Sequence, residues 1–158
     1  MDLHLIGLGG SVQGANIEVH DLQIVLGDTL EDCLEHVKHN WYGDSLHIDS
    51  DTVIREIDGY DISYDGEETK HLYLIVYGGY KSDQIDEVHT YDMILADSKQ
   101  EAKQLAKQSM SRFSHIDHVD NVVDVFASIG RRFALVPNSE SKFTNNKTTH
   151  TFLKLITV

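Results

Sequence analysis

The sequence repeats itself. Moved forward by one constant step, Leu3, Leu5, Ile6, Gly9, Gly10, Glu18, Val19, His20, Leu26 and Asp28 coincide with Leu72, Leu74, Ile75, Gly78, Gly79, Glu87, Val88, His89, Leu95 and Asp97. Identities in unbroken order and a single register are the mark of an internal duplication, and they confine the fold to one that a module can build beside its own copy. Beyond the helix that follows, the echo resumes two residues out of step: His47, Asp49 and Gly59 match His118, Asp120 and Gly130.

Each copy is roughly 65 residues, marginal as an independent unit, so the two are expected to share a core as one pseudo-twofold domain. The repeat units are taken as 1–66 and 72–137, joined by a polar connector over 67–71. A loop rich in Ser, Asn, Lys and Thr over 138–149 and a C-terminal strand over 150–158 follow. That last strand has no counterpart in the first copy. It is expected to complete a sheet edge within the chain or across a homodimer.

Within a copy the pattern is strand, loop, strand, helix, short segment, hairpin. Leu3 to Leu8 are apolar on both faces, as in a central strand. From Ile17 to Leu26, period-two counting puts Glu18, His20, Leu22, Ile24 and Leu26 on one face and Val19, Asp21, Gln23 and Val25 on the other. Thr29 to Asp32 and Ser98 to Glu101 are capping-box patterns. Leu30, Cys33, Leu34, Val37 and Trp41 form the inward stripe of the first helix, and Ala102, Leu105, Ala106, Met110 and Phe113 that of the second. Gly43 is expected to stop the first helix. Asp58-Gly59 marks a tight hairpin turn, with Gly130 as its equivalent between Val122–Ala127 and Arg131–Val136. The expected fold class is α+β: two ββαββ-like units with mixed sheets and outer helices.

Net charge sets the partner classes. With 26 acidic against 13 basic residues the chain carries −13, which excludes ordinary basic-patch binding of nucleic acid or an anionic membrane. No run approaches a membrane span, the N-terminus lacks a signal-peptide pattern, and the single Cys33 permits no internal disulfide, so a cytoplasmic protein is expected.

As a set and in order, Gly9-Gly10, Glu18-Val19-His20-Asp21, Gly27-Asp28, Trp41-Tyr42-Gly43, His47-Ile48-Asp49 and Asp58-Gly59-Tyr60 resemble a bacterial family known only as domain of unknown function number 1543, whose members carry the module in one or two copies. The resemblance implies a fold and transfers no activity. The second copy departs from the pattern at Thr90, Ala96, Met110 and Arg131, which points to the first copy as the carrier of any site.

Glu18 and His20, two apart on one strand face, have the spacing of a carboxylate–imidazole pair for general acid–base work, with Asp21 beside them. The favoured reading is structural: His20 is a partly buried ring whose nitrogens are satisfied by Glu18 and a backbone group, and the repetition at Glu87 and His89 supports it, because duplicated folds keep their internal pairs in duplicate. His47 with Asp49, and His115, Asp117, His118 and Asp120, offer nitrogen and oxygen groups suited to zinc or another divalent ion, without the spacing of an established motif. His36 and His39 read as a solvated helix edge. Gly9-Gly10 and Gly78-Gly79 can bring backbone amides to an anionic ligand or allow close packing at the pseudo-twofold axis. Arg131-Arg132 is a basic pair suited to an anion or to nearby carboxylates.

No nucleophile, metal motif or cofactor fingerprint stands out, so no cofactor is expected beyond a divalent metal at these residues. The leading expectation is a non-enzymatic binding module for a protein partner or a small ligand. The alternative is a hydrolase-like or divalent-metal-dependent enzyme using the Glu-His pair.

Overall fold

The computed structural model describes residues 1–64, 70–138 and 147–155. The fold is α+β, with three small antiparallel sheets and few helices. The chain divides into two compact units, Met1–Glu56 with Lys142–Val158, and Ile57–Ser141. These bounds differ from those of the repeats, because the strand after the first Asp-Gly turn pairs within the second unit.

In the first unit, β1 (Asp2–Gly10) is central. β2 (Val19–Gly27) flanks it on one side. Helix α1 (Leu30–Asn40) then carries the chain to β3 (Leu46–Ile54) on the other side. β2 and β3 run parallel, yet β1 lies between them, so they never pair. The expected mixed sheet is therefore replaced by an antiparallel one. The segment foreseen as short and extended after α1 is the full nine-residue β3.

Helix α1 starts where its capping box requires: Thr29 Oγ1 accepts from the Asp32 amide, and Asp32 accepts from the Thr29 amide. It covers the sheet face carrying Ile6, Leu8, Val25, Leu46 and Ile48, into which Cys33, Val37 and Trp41 pack. The helix ends at Asn40 with Trp41 as its cap, not at Gly43. Gly43 instead permits a close approach, since a Cβ there would lie 2.5 Å from the Ser11 carbonyl oxygen. Cys33 is fully buried, and burial, reinforced by Asp51 and Asp32, pushes its thiol up to about 12. It is a small core hydrophobe, as the apolar stripe implied.

After β4 (Glu56–Ile57), Asp58 (φ 49°) and Gly59 (φ 78°) form the two-residue turn into β5 (Tyr60–Ser63). Both central residues at positive φ are what an Asp-Gly hairpin needs. The second unit then repeats the first pattern with β6 (His71–Gly79) central, β7 (Val88–Ala96), α2 (Lys99–Ser109), a 3-10 turn over Met110–Arg112, and β8 (His118–Asp124). The extra turn accounts for the two-residue offset of the second echo. Under α2 lie Tyr73, Ile75, Tyr77, Ile94 and Val122 with Ala102 and Ala106. Leu105, expected in the inward stripe, instead stays 36% exposed. The bulk of Tyr77 fills the space below the alanines, its hydroxyl 2.8 Å from Ser109 Oγ.

The second hairpin does not form as expected. Asp124 caps a short helix, α3 (Val125–Ile129), by accepting from the Ala127 amide, and Gly130 ends it at φ 65°. The glycine is needed for its left-handed backbone, but as a helix terminus. β9 (Ala134–Pro137) follows and pairs with β5. β10 (Lys147–Leu155) pairs antiparallel with β3, extending the first sheet to the order β10-β3-β1-β2. Of the expected loop over 138–149, residues 139–146 lie outside the described residues, and 147–149 are strand.

One irregularity recurs. The β1–β3 register slips between Gly7, opposite Ser50, and Leu8, opposite Ile48, which leaves Asp49 as an extra residue. The β6–β8 register slips at the matching point, where Val76 faces Asn121 and Tyr77 faces Val119, leaving Asp120. A bulge of this kind re-aims a side chain.

Candidate metal centres

On the sheet face opposite α1, Gly9 sits between His20 on β2 and His47 on β3. Having no side chain, it leaves a floor over which the two imidazoles lean together. A Cβ on Gly9 would lie 2.7 Å from His20 Cδ2 and 3.0 Å from Nε2 of both His20 and His47. Glu18, just before β2, and Asp49, on the bulge, bring carboxylates to the same point. His47 Nε2 is 3.2 Å from Asp49 Oδ1 and 3.9 Å from Glu18 Oε2, and His20 Nε2 is 3.7 Å from Asp49 Oδ2. Glu18, His20 and His47 alone can offer three ligand atoms mutually within 4.8 Å.

The second unit rebuilds this arrangement over Gly78. His118 Nε2 lies 2.8 Å from both Glu87 Oε1 and Asp120 Oδ1. His89 Nε2 lies 3.2 Å from Asp120 Oδ2 and 3.4 Å from Glu87 Oε2. A Cβ on Gly78 would come within 2.5 Å of Asp120 Oδ2 and 2.6 Å of both Glu87 Oε1 and His118 Nε2.

Adjacent ligands on an ion held at about 2.1 Å are about 3.0 Å apart in an octahedral shell and about 3.4 Å apart in a tetrahedral one. The separations in the second cluster, 2.8–3.4 Å, span these values, and those in the first, 3.2–3.9 Å, run from between them to somewhat wider. Glu87 Oε1 adds a sharper point: it is buried and makes no hydrogen bond among the described residues, although His118 Nε2 is close by. Two groups that approach without aligning as donor and acceptor suit a shared third party between them. Two imidazoles and two carboxylates are a donor set for zinc, manganese or iron(II).

The surroundings of the two clusters differ. His118 Nδ1 forms a very short contact with Asp117 Oδ1, whereas the corresponding residue of the first copy is Leu46, buried in the core. That bond, helped by the charges of Asp120 and Glu87 and opposed by desolvation, holds the His118 pKa above the ordinary 6.5. In the metal-free protein its stabilising contribution is therefore complete below the unfolded value and is lost as pH rises through the raised one. Tyr80 stacks against His118 with ring centroids 6.1 Å apart, and chiefly the Glu87 charge pushes its phenol upward. The first copy has Ser11 there, bonded to Ser45 Oγ at 2.7 Å.

Of the residues singled out in the sequence, Glu18, His20, His47 and Asp49 converge in one place, as do Glu87, His89, His118 and Asp120. Asp21 does not join them; it pairs opposite Leu8 on the other face of β2 and is exposed. Gly9 and Gly78 clear the floor. Gly10 and Gly79 turn to the other side, where a Cβ would lie 1.9 Å from the Ser45 carbonyl oxygen and 1.8 Å from that of His115. The double glycines thus serve side-chain convergence and backbone packing. His36 accepts or donates at 2.8 Å to Asn40 on the exposed helix end, as a helix edge would. Arg131 and Arg132 line a cavity with His71, Asp124 and Phe126, away from the clusters. None of the four departures of the second copy is among the clustered side chains.

The first cluster falls wholly inside the segment that carries the family signature. Residues 15–64 match the model described as Domain of Unknown Function (DUF1543). The DUF1543 match thus takes in Glu18, His20, His47, Asp49 and the Asp-Gly turn. Over 98% of its length the chain is also similar to 97% of a solved structure described as a protein Il1583 from Idiomarina loihiensis, at 28% identity and a TM-score of 0.64. Neither description names an activity. No curated protein matches the chain. Among the described residues, no helix is long and apolar enough to cross a membrane.

Proposed function

We propose that this protein is a divalent-cation-binding module in tandem, two copies of one ancestral unit each holding an ion. Of the ligand classes left open by the sequence, the small ligand is favoured, and it is a metal ion. Glu18, His20, His47 and Asp49 serve the first centre, and Glu87, His89, His118 and Asp120 the second. The observation that carries this reading is the recurrence of the same four residue types, over the same glycine and beside the same bulge, at ligand-like separations. A structural pair would need only one His and one carboxylate. The acidic balance of the chain adds a general attraction for cations.

A second reading, a hydrolase-like metal enzyme, is favoured by the exposure of the first centre, where the Glu18 and His20 side chains are 57% and 62% accessible. An ion so placed keeps positions for water, whose pKa a zinc ion lowers toward neutrality. Under that reading the chain's own carboxylates hold and orient the ion, and the open side admits a solute.

Native mass spectrometry of untagged protein with zinc decides the first point. Two ions per chain are expected, one in His47→Ala and one in His118→Ala, with none in the double variant. Retention of two ions in the double variant would contradict the assignment. Metal-dependent turnover of an activated ester, lost in the same variants, would favour the enzyme over the binding module.

A further inference from the structure

We propose that the second unit carries a further binding site, a cavity at the outer edge of β7 that takes a primary ammonium group on an aliphatic stem, with Asp58 as the residue that receives the charge. None of the metal-site side chains lines it, and it does not rest on the cation-binding reading above.

The cavity encloses about 420 Å³, within the range of about 300–1,000 Å³ that small-molecule sites occupy. Asp92, Met93 and Leu95 of β7 line it together with Leu105 of α2, Arg112 of the 3-10 turn and Asp58 of the Asp-Gly turn. Successive strand residues point to opposite faces, so a cavity that takes in both Asp92 and Met93 wraps the edge of the strand. Among the described residues that edge is open, since β7 pairs only with β6. His89, the metal-site residue on β7, lies four residues before Met93, about 13 Å along the strand.

Of the two carboxylates in the cavity, one is committed and one is not. Asp92 Oδ1 accepts from the Met93 amide at 2.9 Å, and its Oδ2 accepts from Arg112 Nη2 at 2.5 Å. Arg112 is tied again through Nε, which donates to the Ser109 carbonyl at 3.4 Å. The Asp58 carboxylate makes no hydrogen bond or ion pair among the described residues. Partial burial, and then the charge of Asp92, hold its pKa above the ordinary 3.8, against the weaker pull of Arg112 and Lys70. Asp58 therefore lacks a positive partner, and the arginine that could supply one is held by Asp92. A cation entering the cavity offsets both the burial and the repulsion.

The apolar wall decides the kind of cation. Met93, Leu95 and the outward-leaning Leu105 offer hydrocarbon contact, which an alkyl stem uses and a hydrated metal ion does not. A metal ion would also need several ligands, and Asp58 is the one uncommitted charge. A primary ammonium brings three donors to that carboxylate, and its stem covers the leucines.

Nuclear magnetic resonance titration of the isotope-labelled full chain with n-alkylamines, from ethylamine to pentylamine, tests this. Saturable shifts are expected at the amides of Asp58, Asp92 to Leu95 and Leu105 to Arg112. Affinity should rise by up to about fourfold per added methylene, as burial of the stem requires. Asp58→Asn should weaken pentylamine at least about tenfold, the loss of one charge-assisted hydrogen bond. Asn tolerates the positive φ of the turn, so the hairpin persists in this variant. Glu31→Gln, which removes an equal charge from an exposed position on α1, should leave the affinity unchanged. The blocked lysine Nα-acetyl-lysine N-methylamide carries the same stem as butylamine. Binding as tight as butylamine or tighter assigns the site to a lysine side chain of a partner, and weaker binding assigns it to a free amine; either result supports the inference. Affinity that stays flat along the series, shifts gathered around Glu87 and Asp120, or equal weakening in Asp58→Asn and Glu31→Gln would overturn it, leaving only the general attraction of a chain of charge −13 for cations.

Discussion

Replacing Gly78 with alanine is expected to abolish zinc binding at the second centre while leaving the fold in place. The new methyl would stand 2.5–2.6 Å from Asp120 Oδ2, Glu87 Oε1 and His118 Nε2, inside the volume where their ligating atoms meet. Those atoms are side-chain ends and can swing away, so the cost falls on the site. Gly78 does not use positive φ, and the alanine restrains the unfolded chain by about 0.4–1 kcal/mol, which offsets part of any local crowding. The expected result is a loss of at least about 100-fold in zinc affinity, more than removing a hydrogen-bond partner of a ligating histidine costs, with an unchanged far-ultraviolet circular dichroism spectrum. Gly9→Ala should act in the same direction on the first centre but more weakly, because its contacts begin at 2.7–3.0 Å.

Gly79→Ala, one residue along, should do the opposite. Its Cβ points to the helix side and would sit 1.8 Å from the His115 carbonyl oxygen and 2.7 Å from Ile116 Cα, both backbone. No rotamer change relieves this; the segment leading into β8 must move. Overpacking against rigid neighbours costs about 3 kcal/mol or more, and on a chain of this size that lowers the melting temperature by roughly 10 °C. Thermal unfolding of metal-free protein measures it directly. A Gly79→Ala variant as stable as wild type would show that the close approach is not required. A pair of neighbouring glycines with separate losses, one of metal and one of stability, follows from strand alternation alone.

The residues of both centres were visible in the sequence, but their partnership was not. Glu18 with His20 looked like an acid–base pair, and His47 with Asp49 like a separate metal candidate, because each lies close in the chain and neither contacts the other until β1 is inserted between β2 and β3. That strand order is a long-range outcome, and no local pattern encodes it. The double glycine was conspicuous, yet its purpose depends on which face each residue takes once β1 has neighbours on both sides. The bulge at Asp49 and Asp120 left no turn residue to announce it. Asp117 was grouped with the ligands by spacing, while the structure places it behind His118. The helix starts at Thr29 and Ser98 and the turn at Asp58-Gly59 were legible because their determinants are local: one capping side chain, or one positive-φ pair. Local signals do not distinguish α3 from the hairpin. Gly130 suits a hairpin and a helix end equally, and only the Asp124 cap separates the two.

Anomalous X-ray scattering above the zinc edge, on crystals of the full chain grown with zinc, meets the central claim most directly. Two peaks per chain are predicted, one over Gly9 and one over Gly78, each about 2.0–2.2 Å from imidazole nitrogen and carboxylate oxygen of its cluster. Crystals in which His20, His47, His89 and His118 bind no zinc, or in which the ion sits elsewhere on the acidic surface, would contradict it.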